Sequence, residues 1–197
     1  DHFVILPTPL RLDADVRFTG KGVTICFIDS GFYLHDDLIK LKNRVKKIID
    51  ITEPLREEEY FMQPRPSAWH GTMTSVVCAG DGYSSSGLYK GIASDAELVL
   101  LKVQNDENKI TSENIVNALQ WVLQHHRDYD IKIVNLSLGG DEAVSYHHSA
   151  IDLLAEQLIA AGLTIVAAVG NDEQAAIKPP ANAKNIISVG GIDDNNY

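Results

Sequence analysis

Val23-Thr-Ile-Cys-Phe-Ile28 is a short run of β-branched and apolar residues closed by the turn signal Asp29-Ser-Gly31, and the chain repeats this design. It reads as a buried strand with an acid at its carboxyl end. Similar runs recur at Val45 to Ile51, Leu98 to Val103, Ile131 to Leu136, Leu163 to Val169 and Ile186 to Val189. Segments of helical period lie between several of them. From Thr111 to His126 the apolar set Ile115, Val116, Leu119, Val122 and Leu123 follows an i, i+3, i+4, i+7 pattern, and Thr111-Ser-Glu-Asn114 offers capping residues at its start. From Ser149 to Ala161 the set Ile151, Leu154, Ala155, Leu158 and Ile159 does the same, with Gly162 placed to terminate the helix. Strands alternating with helices predict an α/β fold, a parallel β-sheet with helices on both faces. In such sheets ligands bind at the carboxyl ends of the strands. Asp29, Ser137 and Asn171 all fall at or just past those ends. The charged, proline-bearing stretch from Arg56 to Pro66 reads as an exposed loop.

At 197 residues, 45% hydrophobic and 22% charged, the chain can bury one sizeable core. A formal net charge of -10 argues against nucleic acid or an anionic membrane as partner, since both call for basic patches. No apolar run approaches the roughly 20 residues of a membrane span. Cys26 and Cys78 are too few for a disulfide framework and read as free thiols in a strand and a helix. The chain begins at Asp1 with neither an initiator Met nor an apolar signal segment, so its start reads as processed or chosen, and secreted and cytoplasmic locations both stay open.

Trp69-His70-Gly-Thr72 carries the chemistry, together with Ile28-Asp29-Ser-Gly31 upstream and Val169-Gly-Asn171 downstream. A serine or cysteine nucleophile is weak at neutral pH unless a base takes its proton, and a third group must hold that base in one tautomer. Asp29 and His70 supply the orienting acid and the base, and Asn171 supplies an amide donor for an oxyanion.

These residues sit in longer motifs that resemble those of the subtilisin-like serine proteases, the subtilase family. Gly20 to Gly31 resembles the family's aspartate motif, and His35-Asp-Asp-Leu38 its usual His-Pro-Asp-Leu. His70-Gly-Thr-Met-Thr-Ser75 resembles the histidine motif, with Met73 where another His is common. Ile133-Val-Asn-Leu-Ser-Leu-Gly139 resembles the strand that lines the substrate cleft, and Val166 to Asn171 the segment ending in the oxyanion asparagine. The likeness runs from about Gly20 to the terminus, with Pro179 to Asp193 continuing it through Ile186-Ile-Ser-Val-Gly-Gly191, so residues 1–19 read as an extension and 20–197 as the N-terminal portion of a catalytic domain. The resemblance implies that Asp29 orients His70, that His70 acts as general base and then acid, and that Asn171 donates to the tetrahedral oxyanion. It implies a primary specificity pocket walled by Ser137, Leu138 and Gly139 on one side and Ala168, Val169 and Gly170 on the other. Leu138 to Gly140 would also pair with an extended peptide or protein substrate. The loop Gly80 to Ala93 looks closest to bacterial members without the usual calcium-binding insertion. No cofactor is required. Asp36 and Asp37 could still ligate calcium, Asp37 matching a family calcium position without a recognisable companion loop.

One part of the pattern is missing. The family's nucleophile lies in a Gly-Thr-Ser-Met-Ala type motif that does not occur here, and the sequence reaches Tyr197 first. Ser30, Ser75, Ser84 to Ser86 and Ser137 are each placed for another task, and no Gly-x-Ser-x-Gly is present. The expectation is a sheet incomplete at its C-terminal end and a second chain carrying the catalytic serine. The rival is a subtilase-like domain that lacks its nucleophile and works as a peptide-binding or scaffold module. A dinucleotide site is disfavoured because no Gly-x-Gly-x-x-Gly follows the first strand. A zinc site is disfavoured too, because His125-His126 and His147-His148 are adjacent pairs whose side chains would diverge by about 100° on a helix.

Overall fold

In the computed structural model, residues 6–141, 143–172 and 176–191 are described, and Asp193 and Tyr197 lie outside them. The apolar runs form one six-stranded parallel sheet in the order β2-β3-β1-β4-β5-β6. Its strands are β1 Thr24–Asp29, β2 Val45–Asp50, β3 Glu97–Lys102, β4 Ile131–Leu136, β5 Thr164–Ala168 and β6 Ile187–Val189. The strand order reverses at β1, which has β3 on one side and β4 on the other. That reversal splays the following loops apart and opens a crevice at the carboxyl ends.

Five helices accompany the sheet among the described residues: α1 Thr8–Arg11, α2 Asp36–Ile39, α3 Trp69–Ala79, α4 Ser112–His125 and α5 Ala150–Ala160. The two predicted amphipathic helices pack against each other over one face. There Ile115, Leu119, Val122 and Leu158 meet Cys26, Val99, Val134 and Ile165. Both start as their sequences dictate: Thr111 Oγ1 accepts the Asn114 N–H at 3.2 Å and Ser149 Oγ accepts the Asp152 N–H at 3.2 Å. Gly162, with φ +96°, takes the left-handed turn that ends α5. The opposite face is covered by α3 only over its β2-β3-β1 half, where Val76 and Cys78 pack on Phe27, Leu98 and Leu100. Burial follows this cover: β1 is buried along its length, β5 alternates, and β6 is exposed.

Two expectations need correction. Arg56 to Pro66 is not simply an exposed loop: Glu58–Met62 forms a 3-10 turn that buries the Phe61 ring, and Arg56 reaches inward to Asp50 at 2.9 Å. Its charge density misled because part of that charge pairs with a buried carboxylate. His147 and His148 lie in a turn before α5, not on a helix. The other pair ends α4, where His125 Nδ1 meets Asp128 Oδ2 at 3.0 Å and His126 Nδ1 meets the Leu123 carbonyl at 3.0 Å.

Candidate active site

Asp29 is the last residue of β1 and is 1% exposed, so its carboxylate must be satisfied by the protein. Ser30 N–H donates to Oδ1 at 2.7 Å, and His70 Nδ1 lies 2.6 Å from the same oxygen. A charged acceptor at that distance makes a short, strong hydrogen bond and assigns the proton to Nδ1. Nε2 is then the basic nitrogen. The imidazole is 35% exposed, and no second partner binds it among the described residues. Trp69 packs edge-on against the ring at 5.5 Å between centroids.

The approach of α3 to β1 depends on Gly71. A methyl group there would fall inside contact distance of the Gly31 carbonyl oxygen, the Phe32 ring and Asp29 Cβ. Gly is therefore the residue that lets the histidine helix start against the aspartate turn. Thr74, one turn on, places Oγ1 3.3 Å from Asp29 Oδ2 and 3.0 Å from the Gly71 carbonyl.

Two adjoining depressions extend from this pair and share Ser137 and Leu138. The first, about 520 Å³, is lined by Asp29, Trp69 and His70 with Gln104, Asn108 and Ile110 opposite. The second, about 410 Å³, is walled by Ser137 to Gly140 and by Ala168 to Asn171. Every residue expected at the specificity pocket thus lines one recess beside the His70 cleft. The Asn171 side chain is exposed there and has no partner among the described residues. One detail differs from expectation: the Gly140 N–H already donates to the Pro179 carbonyl at 2.8 Å. Among Leu138 to Gly140, extended pairing can therefore use Leu138 and Gly139, which lie past the last ladder residue, Leu136.

Among the described residues no serine hydroxyl is hydrogen-bonded to His70. Ser30 Oγ donates to the Ser67 carbonyl at 3.1 Å, Ser75 is buried and bonded to the Thr72 carbonyl, and Ser137 Oγ accepts from Asn135 Nδ2 at 3.0 Å.

Sequence reasoning missed the polar wall beneath the cleft. Lys102, paired in register with Asp29, is buried with Asp50 at 2.8 Å and donates to the Gln104 carbonyl. Gln104 N–H donates to the Ser30 carbonyl at 3.2 Å, so this buried pair props the loop facing His70. The available signal was a lysine inside an otherwise apolar run, Leu98 to Val103.

An acid at one parallel strand end, a histidine at the start of α3 and an amide lining the adjoining recess make up the candidate site on a doubly wound sheet. The chain belongs to the subtilase family, whose profile matches residues 20–197. It is 35% identical over 186 residues to the serine protease AprX of Bacillus subtilis, a match covering 90% of this chain and 40% of that protein. It is 26% identical over 195 residues to a cuticle-degrading serine protease of Arthrobotrys oligospora, covering 95% and 42%. The chain thus spans about 40% of the length of these curated relatives. Among solved structures, a cold-adapted subtilisin-like serine proteinase matches with TM-score 0.64 at 22% identity, over 90% of this chain and 57% of that one. The Clostridium perfringens CspB protease matches with TM-score 0.66 at 18% identity, over 85% and 40%, and these two likenesses speak to the fold alone.

Proposed function

We propose that this chain supplies the acid-base pair, the oxyanion donor and the substrate cleft of a serine endopeptidase whose nucleophile is a serine outside residues 1–197. The observation that carries the reading is the 2.6 Å contact of His70 Nδ1 with buried Asp29, which leaves Nε2 turned to the cleft. With a serine hydroxyl beside Nε2, His70 takes its proton as the oxygen attacks the scissile carbonyl. Asp29 stabilises the imidazolium that forms. Asn171 lines the adjoining recess, which shares Ser137 and Leu138 with the His70 cleft, and its amide suits the negative oxygen of the tetrahedral intermediate. His70 then returns the proton to the leaving amine, and water repeats the sequence on the acyl-enzyme.

The serine-bearing segment is proposed to cover the open half of the sheet face next to α3, as a second chain in a nicked molecule. Val166, Ala168, Ile187 and Val189 point to that side in register, and parallel sheets are ordinarily covered on both faces. The competing reading, a peptide-binding module, is favoured only by the engagement of the internal serines elsewhere.

The experiment is fluorophosphonate labelling of the purified protein with intact-mass analysis. Label on a serine outside residues 1–197, lost in His70→Ala, is the expected result. Replacing Asp29 by Asn should lower kcat by about 10⁴-fold, the scale known for an orienting acid in such a triad. Absence of label alongside retained peptide binding would move the assignment to the binding module. Label on Ser137 or Ser30 would overturn the external nucleophile.

A further inference from the structure

The sequence leaves calcium possible at Asp36 and Asp37, and Arg44 lies buried against that corner. Asp37 is buried in the first turn of α2, and its Oδ1 and main-chain oxygen are already engaged. Oδ1 accepts the Ser84 N–H at 2.8 Å. The main-chain oxygen accepts the Asp81 N–H at 3.0 Å and Arg44 Nη2 at 2.7 Å, which fills both of its lone pairs. Asp81 Oδ1 accepts the Tyr83 N–H at 2.9 Å, and its Oδ2 lies 3.8 Å from Arg44 Nη2. Arg44 is only 4% exposed, and its Nη1 donates to the Ala96 carbonyl at 3.0 Å. Burial works against the charge of Arg44, while Asp81, Asp95 and Asp37 favour it.

Calcium takes about six to eight oxygens at roughly 2.3–2.6 Å. Here it would compete with the N–H donors already on Asp37 Oδ1 and Asp81 Oδ1 and sit beside a fixed positive guanidinium. Among the described residues, no group of three or more His, Cys, Asp or Glu side chains is gathered to hold a metal. The donor set therefore does not fit the ion.

We infer that Arg44 is the resident cation of this corner, tying α2, the 81–86 loop and the turn before β3 together so that the corner holds its shape without calcium. The loop it clasps follows α3 directly, and the Gly91 N–H and Ala93 N–H return to the Gly80 and Cys78 carbonyls at 2.8 and 2.9 Å. The carboxyl end of the helix that carries His70 is thus anchored by a side chain that a chelator cannot remove. The inference concerns folding of this corner and is independent of any proteolytic activity.

Hydrogen-deuterium exchange over residues 81–86, in millimolar calcium chloride and in EDTA, tests it locally. In the unaltered protein the two exchange profiles should coincide, with the Ser84 amide protected in both. Arg44→Ala should speed exchange of this loop by about tenfold or more, with Arg44→Lys falling between, because it keeps the charge but loses the fork. Slower loop exchange in calcium than in EDTA would overturn the inference, as would Arg44→Ala exchanging at the unaltered rate. Should Arg44→Ala fail to fold, the calcium comparison and Arg44→Lys still decide, an unchanged rate in Arg44→Lys at every ionic condition counting against the clasp.

Discussion

Thr74 shares the Asp29 carboxylate with His70, yet its hydroxyl has one proton and two acceptors in reach, Asp29 Oδ2 and the Gly71 carbonyl. The buried carboxylate is the stronger acceptor of the two. A hydrogen bond to a charged group contributes about 1.5 kcal/mol or more, so Thr74→Val should lower kcat by roughly tenfold at nearly constant KM, with Thr74→Ser recovering most of it. Steady-state kinetics of the assembled protein would check this, and a valine variant with full kcat would remove Thr74 from the positioning role. Legibility at this scale was uneven for a physical reason. Asp29, His70 and Asn171 stand out because their chemistry is encoded in short motifs around them. Thr74, Asp50 and Lys102 act through contacts between segments far apart in sequence, which no local pattern announces. Arg44 belongs to the same group, since only the folded corner brings it beside Asp37 and Asp81.

Elements were the most legible scale, because strand and helix follow from periodicity and caps. Each of the six runs became a strand within one or two residues of its expected bounds, and α4 and α5 begin at the residues whose side chains can cap them. Losing the α4 cap in Thr111→Ala should cost about 1 kcal/mol of stability, read as a lower urea midpoint. The first turn of α5 hides something periodicity could not reveal. Asp152 is fully buried, its carboxylate oxygens have no hydrogen-bond partner among the described residues, and burial raises its pKa to about 6, with Ser149 opposing and Glu156 adding to the rise. A carboxyl whose folded value lies above its unfolded one binds more protons when folded. Its contribution is therefore most favourable below about pH 4 and is lost as pH rises through about 6. Asp152→Asn, which cannot ionise, should gain stability relative to the unaltered protein on going from pH 4 to pH 7.5. Urea melts at those two pH values measure the difference, and a pH-independent gap would show that the carboxyl ionises in the fold as readily as in the unfolded chain.

At the scale of the whole molecule, the sheet is unevenly protected. β1 and β3 are buried on both faces, whereas Ile187 and Val189 are 52% and 50% exposed on the side that α3 leaves open. The sequence predicted helices on both faces, and that pattern holds for the half of the sheet nearest His70. It could not say how far the cover extends, because strand periodicity in a short apolar run is the same whether a strand is covered once or twice. The consequence is testable on this face alone. An acidic side chain at an already exposed position perturbs a fold by about 0.5 kcal/mol or less. Ile187→Asp should therefore leave the urea midpoint of the residue 1–197 sheet nearly unchanged. If the serine-bearing segment rests on this face, the same substitution buries a charge against it. Fluorophosphonate labelling should then fall at least tenfold, and it should do so without any change in the His70 to Asp29 geometry, which lies on the other side of β4. Full labelling in Ile187→Asp would place the segment elsewhere and leave the open face as ordinary solvent-exposed surface.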